Sequence, residues 1–198
     1  MALAHMKIER PKPHQPIPLD AQKVFDGVLY DAYHWQQKRF DGTTALYERL
    51  TRNDSVVIVP VTERGTILVG SEQQPGTDVY TNIPCGGLDD GEAPEAAAAR
   101  ELLEETGYAG ELDFWFAHQV EHRVDWAIFV FIARNCKKIK EQDPGAGERI
   151  TTREVSFDEF LKIATNDDFQ NINIAPKLLR AVLDPEEMAG LKKRLGLC

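Results

Sequence analysis

The segment IPCGGLDDGEAPEAAAARELLEETGY, Ile83 to Tyr108, constrains the fold more than any other part of the chain. A glycine-rich loop, Cys85 to Gly91, passes at Glu92 into a helix that stops at Gly107. Five alanines, Ala93 and Ala96 to Ala99, favour the helical backbone. Pro94 falls in the first turn, where its missing donor costs nothing, and Gly107 supplies the stop.

Charge sits in the second half of this helix. Glu101 and Glu105 are four residues apart and Glu104 is three from Glu101, so two or three carboxylates share one face. Like charges at that spacing destabilise a bare helix, and a cation between them reverses the sign. Hard oxygen ligands suit Mg2+ or Mn2+. Arg100, four before Glu104, is placed to clamp that carboxylate while Glu101 and Glu105 face the metal. A solvated acidic helix face is the bland alternative, and the glycine loop in front argues against it.

Gly86, Glu92, Arg100, Glu101, Leu102, Glu104, Glu105 and Gly107 resemble, without a gap, the signature of the Nudix hydrolases. Tyr108 replaces the usual aliphatic last residue. Eight such matches arise by chance on the order of once in a billion start positions. The resemblance implies an α+β fold, an α/β/α sandwich with a mixed sheet. The pattern of strand runs and three or so helices reads the same way, as a mixed sheet covered by helices on both faces.

With 198 residues the chain is expected to form one domain with a small appendage, burying roughly 70% of its unfolded surface. A net charge of -9 argues against nucleic-acid or membrane-surface partners, so an anionic substrate needs metal and a few local cations. Cys85, Cys136 and Cys198 show no CxxC spacing, which fits a reducing cytoplasm without a disulfide framework or zinc site. No apolar run approaches a membrane span and no signal peptide is read at the start. Met6 is expected as the natural start, with residues 1–5 a cloning remnant.

Residues 1–22 read as an extended arm, with four prolines between positions 7 and 20. Residues 23–53 alternate as strands around an Asp41-Gly42 turn. Residues 54–198 then carry SVVIVPV and TILVGSEQ around Arg64-Gly65, the short run VYTNIP before the glycine loop, and two core strands, LDFWFAHQV and WAIFVFIA. RITTREVSF follows a loop of turn formers. Ser156-x-x-Glu159 opens a helix to Ala164, and 173–183 and 185–195 read as further helices.

Within the superfamily, Val24-Phe25-x-Gly27, Tyr33-x-Trp35, Phe40-Asp41-Gly42 and Tyr47-Glu48-Arg49 resemble the N-terminal sheet of ADP-ribose pyrophosphatase-like members. That likeness implies a homodimer exchanging this sheet, with Trp35 and Arg49 contacting the nucleotide; Trp35 as core or dimer packing is the alternative. Glu72-Gln73-Gln74-Pro75 lacks the arginine common in that group, and its usual later proline is missing. Gly147-Glu148-Arg149-Ile150 resembles the group's late loop, implying that Glu148 joins the metal site or acts as base, with Glu154 as substitute.

The resemblance thus implies Mg2+-dependent hydrolysis of a nucleoside diphosphate sugar, ADP-ribose giving AMP and ribose 5-phosphate. The metal ligands would be Glu101, Glu105, Glu148 and the Cys85 carbonyl. Glu104, Glu105, Glu148 and Arg100 would serve catalysis, with Gly86 and Gly87 letting backbone approach phosphate and Glu92 bracing the loop. Other nucleotide sugars, dinucleotides and damaged nucleoside triphosphates stay open as substrates. A non-catalytic nucleotide sensor is the rival class; such modules usually lack some of these carboxylates, and here all are present. His118, Glu121 and His122 spell HxxEH, an inverted zinc-peptidase motif, but FWFAHQV reads as strand rather than the helix that chemistry needs.

Overall fold

The computed structural model describes residues 8–197, so the expected start at Met6 and the Cys198 terminus lie outside the described residues. In chain order the elements are β1 (Gln22–Asp26), β2 (Asp31–Lys38), β3 (Thr44–Thr51), β4 (Ser55–Thr62), β5 (Ile67–Gln73), β6 (Tyr80–Asn82), β7 (Cys85–Gly87), α1 (Pro94–Thr106), β8 (Tyr108–Gln119), β9 (Val124–Asp125), β10 (Ala127–Lys138), β11 (Arg149–Val155), α2 (Phe157–Ile163), α3 (Ala175–Leu183) and α4 (Pro185–Leu195). A 3-10 turn at Ile172–Ile174 leads into α3. Among the described residues no helix is long and apolar enough to cross a membrane.

Strand β4 is buried along its whole length, and its alternating side chains divide the core in two. Val57, Val59 and Val61 join Ile128, Val130 and Ile132 of β10 against Phe160 of α2, Leu178 of α3 and Leu191 and Leu195 of α4. Val56 and Ile58 face the other way, with Phe129 and Phe131, against Ala97, Ala98 and Leu102 of α1. This is the period-two consequence of a strand covered on both sides. The alanines that favour helix α1 also let it pack closely on the sheet. The larger sheet runs β11-β5-β4-β10-β8, with β6 on β5 and β7 on β4. Its β4–β10 pairing is parallel and its β10–β8 pairing antiparallel, so the expected mixed sheet with helices on both faces is found.

A second sheet, β1-β2-β3-β9, carries the strands expected between residues 23 and 53. Its fourth strand comes from far along the chain, because Val124 and Asp125 pair in parallel with Leu50 and Thr51. The EHRVD linker therefore ties the two sheets together.

Residues 8–21 contain no helix or strand and lie along this junction. Arg10 holds Asp54 through two bonds of 2.7 and 2.9 Å and Asp125 at 2.7 Å, while Gln119 donates to the Pro11 carbonyl at 2.9 Å. Asp54, just before β4, in turn accepts from the Ala127 amide at 2.9 Å, so one guanidinium connects the arm to β9 and, through Asp54, to β10. Arg10 is part-exposed and solvent screens the pairs, so Arg10→Ala is expected to cost about 1 kcal/mol rather than the value of a buried network. Urea unfolding checks this; an unshifted midpoint would mean the arm is not fastened by this contact.

Helix α1 ends as its sequence requires. Gly107 is left-handed, with φ 76°, and its amide donates to the Leu103 carbonyl at 2.9 Å. A side chain there would strike the Lys140 carbonyl as well. Ser156 accepts from the Glu159 amide at 3.2 Å, the cap expected for α2.

Candidate active site

The glycine loop is fixed at both ends. Cys85 and Gly86 pair with Val57 and Val56 of β4, and the Asp89 amide donates to Glu92 at 3.0 Å. Arg100 then locks loop to helix. It meets Glu92 bidentately at 3.0 and 2.9 Å, the Gly87 carbonyl at 2.9 Å and Glu101 at 2.6 Å. These fork-shaped contacts hold the guanidinium charged, its pKa raised chiefly by Glu92 and then Glu101. The expected contact of Arg100 with Glu104 is present, and at 3.5 Å it is the longest of the set. The reason is the loop, which folds Glu92 back within reach and offers a better two-pronged partner. Glu92 braces the loop as expected.

Gly86 has a further reason for being glycine besides the one expected. A Cβ there would land on the Glu101 carboxylate, so the missing side chain makes room for a protein group. At Gly87 a Cβ would meet open space.

Glu105 lies behind this loop, 5% exposed, with the Cys85 amide donating to it at 3.4 Å. Burial, then Glu101, then Glu72 and Glu148 push its pKa up to about 9. Glu101 is raised by burial despite the opposing pull of Arg100, with Glu104 and Glu148 adding to the rise. Glu148, on the loop before β11, is raised by burial, Glu72 and Glu104. These carboxylates sense one another because β5 and β11 bring their ends to the same corner as α1.

Glu154 is not at that corner. It lies opposite Leu68 at the far end of β11, bonded to Arg64 and Thr66. Six residues of strand span roughly 20 Å, which removes it as the substitute for Glu148.

Two residues that sequence reasoning passed over belong to the site. Glu72, 4% exposed, accepts from Tyr80 at 2.5 Å, Gln74 at 2.9 Å and Asn82. In β5 Ser71 is exposed and Glu72 buried, which places a carboxylate on an inward strand position. Arg52, just past β3, lies over the Trp126 ring at 4.2 Å and the Tyr30 ring at 5.5 Å. Its Nε is buried without a hydrogen-bond partner.

A cavity of about 430 Å³ is lined by Arg52, Glu72, Cys85, Glu105, Glu148 and Asn173, among others. A neighbouring one of about 490 Å³ reaches Arg100 and Glu101 and the Gly27–Leu29 loop of the smaller sheet. Arg52 and Gly87 border both, so the two cavities adjoin.

Trp35 and Arg49 border neither cavity. Trp35 is 7% exposed, donating to Gln37 and packed on Tyr47 at 5.9 Å, as in the packing alternative. Arg49 is 2% exposed, bonded to the Gln15 carbonyl of the arm. His118 ends β8 with its ring on Phe116 at 5.8 Å, and His122 lies beyond the strand against His14 at 4.4 Å. The HxxEH residues thus share no helix face, as expected from the strand pattern.

Residues 51–178 match the family described as the NUDIX domain. The chain belongs to the NUDIX family. Among NUDIX relatives, the ADP-ribose pyrophosphatase of Bacillus subtilis (strain 168) is 26% identical over 165 residues, covering 78% of this chain and 85% of that protein. The methanol dehydrogenase activator of Bacillus methanolicus is 30% identical over 149 residues, covering 73% of this chain and 80% of that one. A crystal structure described as an ADP compounds hydrolase superposes with a TM-score of 0.68 at 21% identity, over 89% of this chain and 98% of that chain, and shows the same fold.

The corner fits a hard divalent cation on its own chemistry: oxygen donors, buried, mutually repelling, with the loop backbone alongside. Among the described residues no three acidic, imidazole or thiol groups converge on one point.

Proposed function

We propose that this NUDIX protein hydrolyses the pyrophosphate bond of a nucleoside diphosphate sugar, ADP-ribose yielding AMP and ribose 5-phosphate, with Mg2+ or Mn2+. One observation carries the reading: the buried Glu105 carboxylate, pushed up to about 9, stands among Glu101, Glu72 and Glu148 at the edge of an open cleft. Repelling carboxylates at one corner are the arrangement that a cation stabilises. The name of the Bacillus subtilis relative supports ADP-ribose as the first substrate to try.

Glu101, Glu105 and the Cys85 carbonyl would hold the metal, with Glu148 as a further ligand. The bound cation supplies charge neutralisation at the pyrophosphate and a lowered pKa for water. Glu148, raised by its surroundings, is suited to take the proton of the attacking water. Glu104, at the exposed edge, would bridge between the metal corner and Arg100, which orients Glu101 and anchors the loop. Gly87, over open space, leaves its backbone free for a phosphate, whereas Gly86 serves Glu101. Arg52, held between two rings beside the cleft, would face the nucleotide.

Residues 23–53 would form the dimerising region and 54–198 the catalytic unit, with the arm before them. Val24, Phe25 and Leu46 on the smaller sheet are 45%, 60% and 60% exposed, apolar surface that a second copy would cover. A reducing cytoplasm suits the free thiols of Cys85 and Cys136.

The test is turnover of ADP-ribose, ADP-glucose, GDP-mannose, diadenosine polyphosphates and nucleoside triphosphates with Mg2+, read as phosphate after phosphatase. The expected result is preference for ADP-ribose and loss of all activity in EDTA. Tight binding of one compound without turnover of any would replace hydrolysis by sensing.

A further inference from the structure

The segment between α2 and α3 reaches the cleft through its amide side chains. Gln170, Asn171 and Asn173 line the 430 Å³ cavity together with Glu105 and Glu148. The backbone of the segment is bonded to the strand that carries the glycine loop. Gln170 donates to the Thr81 carbonyl at 3.0 Å, and the Ile83 amide donates to the Asn171 side chain at 2.8 Å. Asn171 also meets the Cys85 thiol, so its amide is used in positioning β7. Asn173 differs, because its Oδ1 is closed off from solvent and has no hydrogen-bond partner within the protein. An orphaned acceptor of this kind is unfavourable, and a turn of the Asn173 side chain toward the cavity it already lines would let a ligand donor supply the missing bond.

The rest of the lining decides what brings that donor. Glu72, Glu105 and Glu148 contribute carboxylates and Arg52 a single guanidinium. Once a cation and the pyrophosphate offset each other, the remaining field repels a further phosphate. The Trp126 face is covered by Arg52 at 4.2 Å, so it offers no platform for a second base. Tyr80 and Gln74 already donate to Glu72. What stays uncommitted is neutral and amide-like: Gln170, which is exposed, and Asn173, whereas Asn82 spends its amide nitrogen on Glu72. A carboxamide both donates and accepts, and a sugar hydroxyl does the same.

We propose that Gln170 and Asn173 bind the uncharged, hydroxyl-rich half of the substrate, so that the group leaving on the second phosphate is a sugar rather than a second nucleoside or further phosphates. The assignment rests on the pyrophosphatase reading. It adds specificity-determining residues on a segment outside the signature helix.

The deciding experiment compares kcat/KM for wild type, Gln170→Ala and Asn173→Ala on two compounds with the same ADP half. These are ADP-ribose and the methyl ester of ADP, whose leaving half has no hydroxyl. Each variant is expected to lower kcat/KM on ADP-ribose about 3- to 10-fold, the worth of one neutral hydrogen bond, while moving the methyl ester less than about 2-fold. Equal losses on both compounds, or no loss on ADP-ribose, would overturn the subsite while leaving pyrophosphatase activity established. If wild type hydrolyses neither compound, the pyrophosphatase reading fails and the subsite falls with it. Should Asn173→Ala unfold, Gln170→Ala carries the same comparison alone, since its side chain is exposed.

Discussion

Glu105→Gln is expected to abolish turnover and, in the absence of metal, to make the protein more stable. If Glu105 holds the proposed cation, its loss removes several kcal/mol of transition-state stabilisation, about 10³-fold in kcat. Stability moves the other way for an electrostatic reason. Burial and the neighbouring carboxylates push Glu105 up to about 9 from an ordinary 4.5, so between those values the folded protein holds a proton that the unfolded chain has released. Stability of the metal-free protein therefore falls as pH rises from about 4.5 to about 9. Glutamine keeps an oxygen to accept from the Cys85 amide and carries no charge. The gain should be near zero at pH 4.5 and grow to roughly 2–4 kcal/mol at pH 9. Thermal unfolding in EDTA at pH 5, 7 and 9, beside kcat with Mg2+, measures both. A variant that is less stable than wild type at pH 9 would mean that Glu105 is not repelled by its surroundings.

The second large effect separates two adjacent glycines. A Cβ at Gly86 would collide with the Glu101 carboxylate, while one at Gly87 meets nothing within 4 Å. Gly86→Ala must push Glu101 away from Arg100 and from the metal corner, with an expected loss of at least about 10²-fold in kcat/KM and weaker Mg2+ binding. Gly87→Ala should fold with an unchanged unfolding midpoint, and any loss of rate should come from crowding the phosphate. Equal kinetics for the two variants would show that Glu101 takes no part in holding the cation.

Most strands and the helices α1 to α4 were legible because their signals are local: the apolar run in 55–62, the Asp41-Gly42 turn, the Ser156 cap and the Pro94-to-Gly107 helix. The acidic helix face was legible for the same reason, since a spacing of four residues is a distance in space on a helix. What escaped depends on register between distant strands. Nothing near Glu72 says that it will face Glu105, because that follows from how β5, β6 and β11 align. Glu148 and Glu154 look alike in sequence, and only the β5–β11 register places one beside Glu72 and the other beside Arg64. Arg49 and Arg52 are similarly alike. One is turned beneath the arm and the other into the cleft, a difference made by β9 joining the smaller sheet and by Trp126 following it.

The parallel pairing of β4 with β10 also sets the order of events during synthesis. Val57 must find Val130 and Ile58 must find Phe131, so β4 leaves the ribosome long before its partner does. A chain released as far as Gln119 has β4, α1 and β8 but lacks the strand that lies between β4 and β8 in the finished sheet. Non-local pairing of this kind is slow and leaves apolar strand edges open to other chains. The stretch most in need of shielding in the nascent protein is thus SVVIVPVT, which becomes the least exposed strand of the finished one.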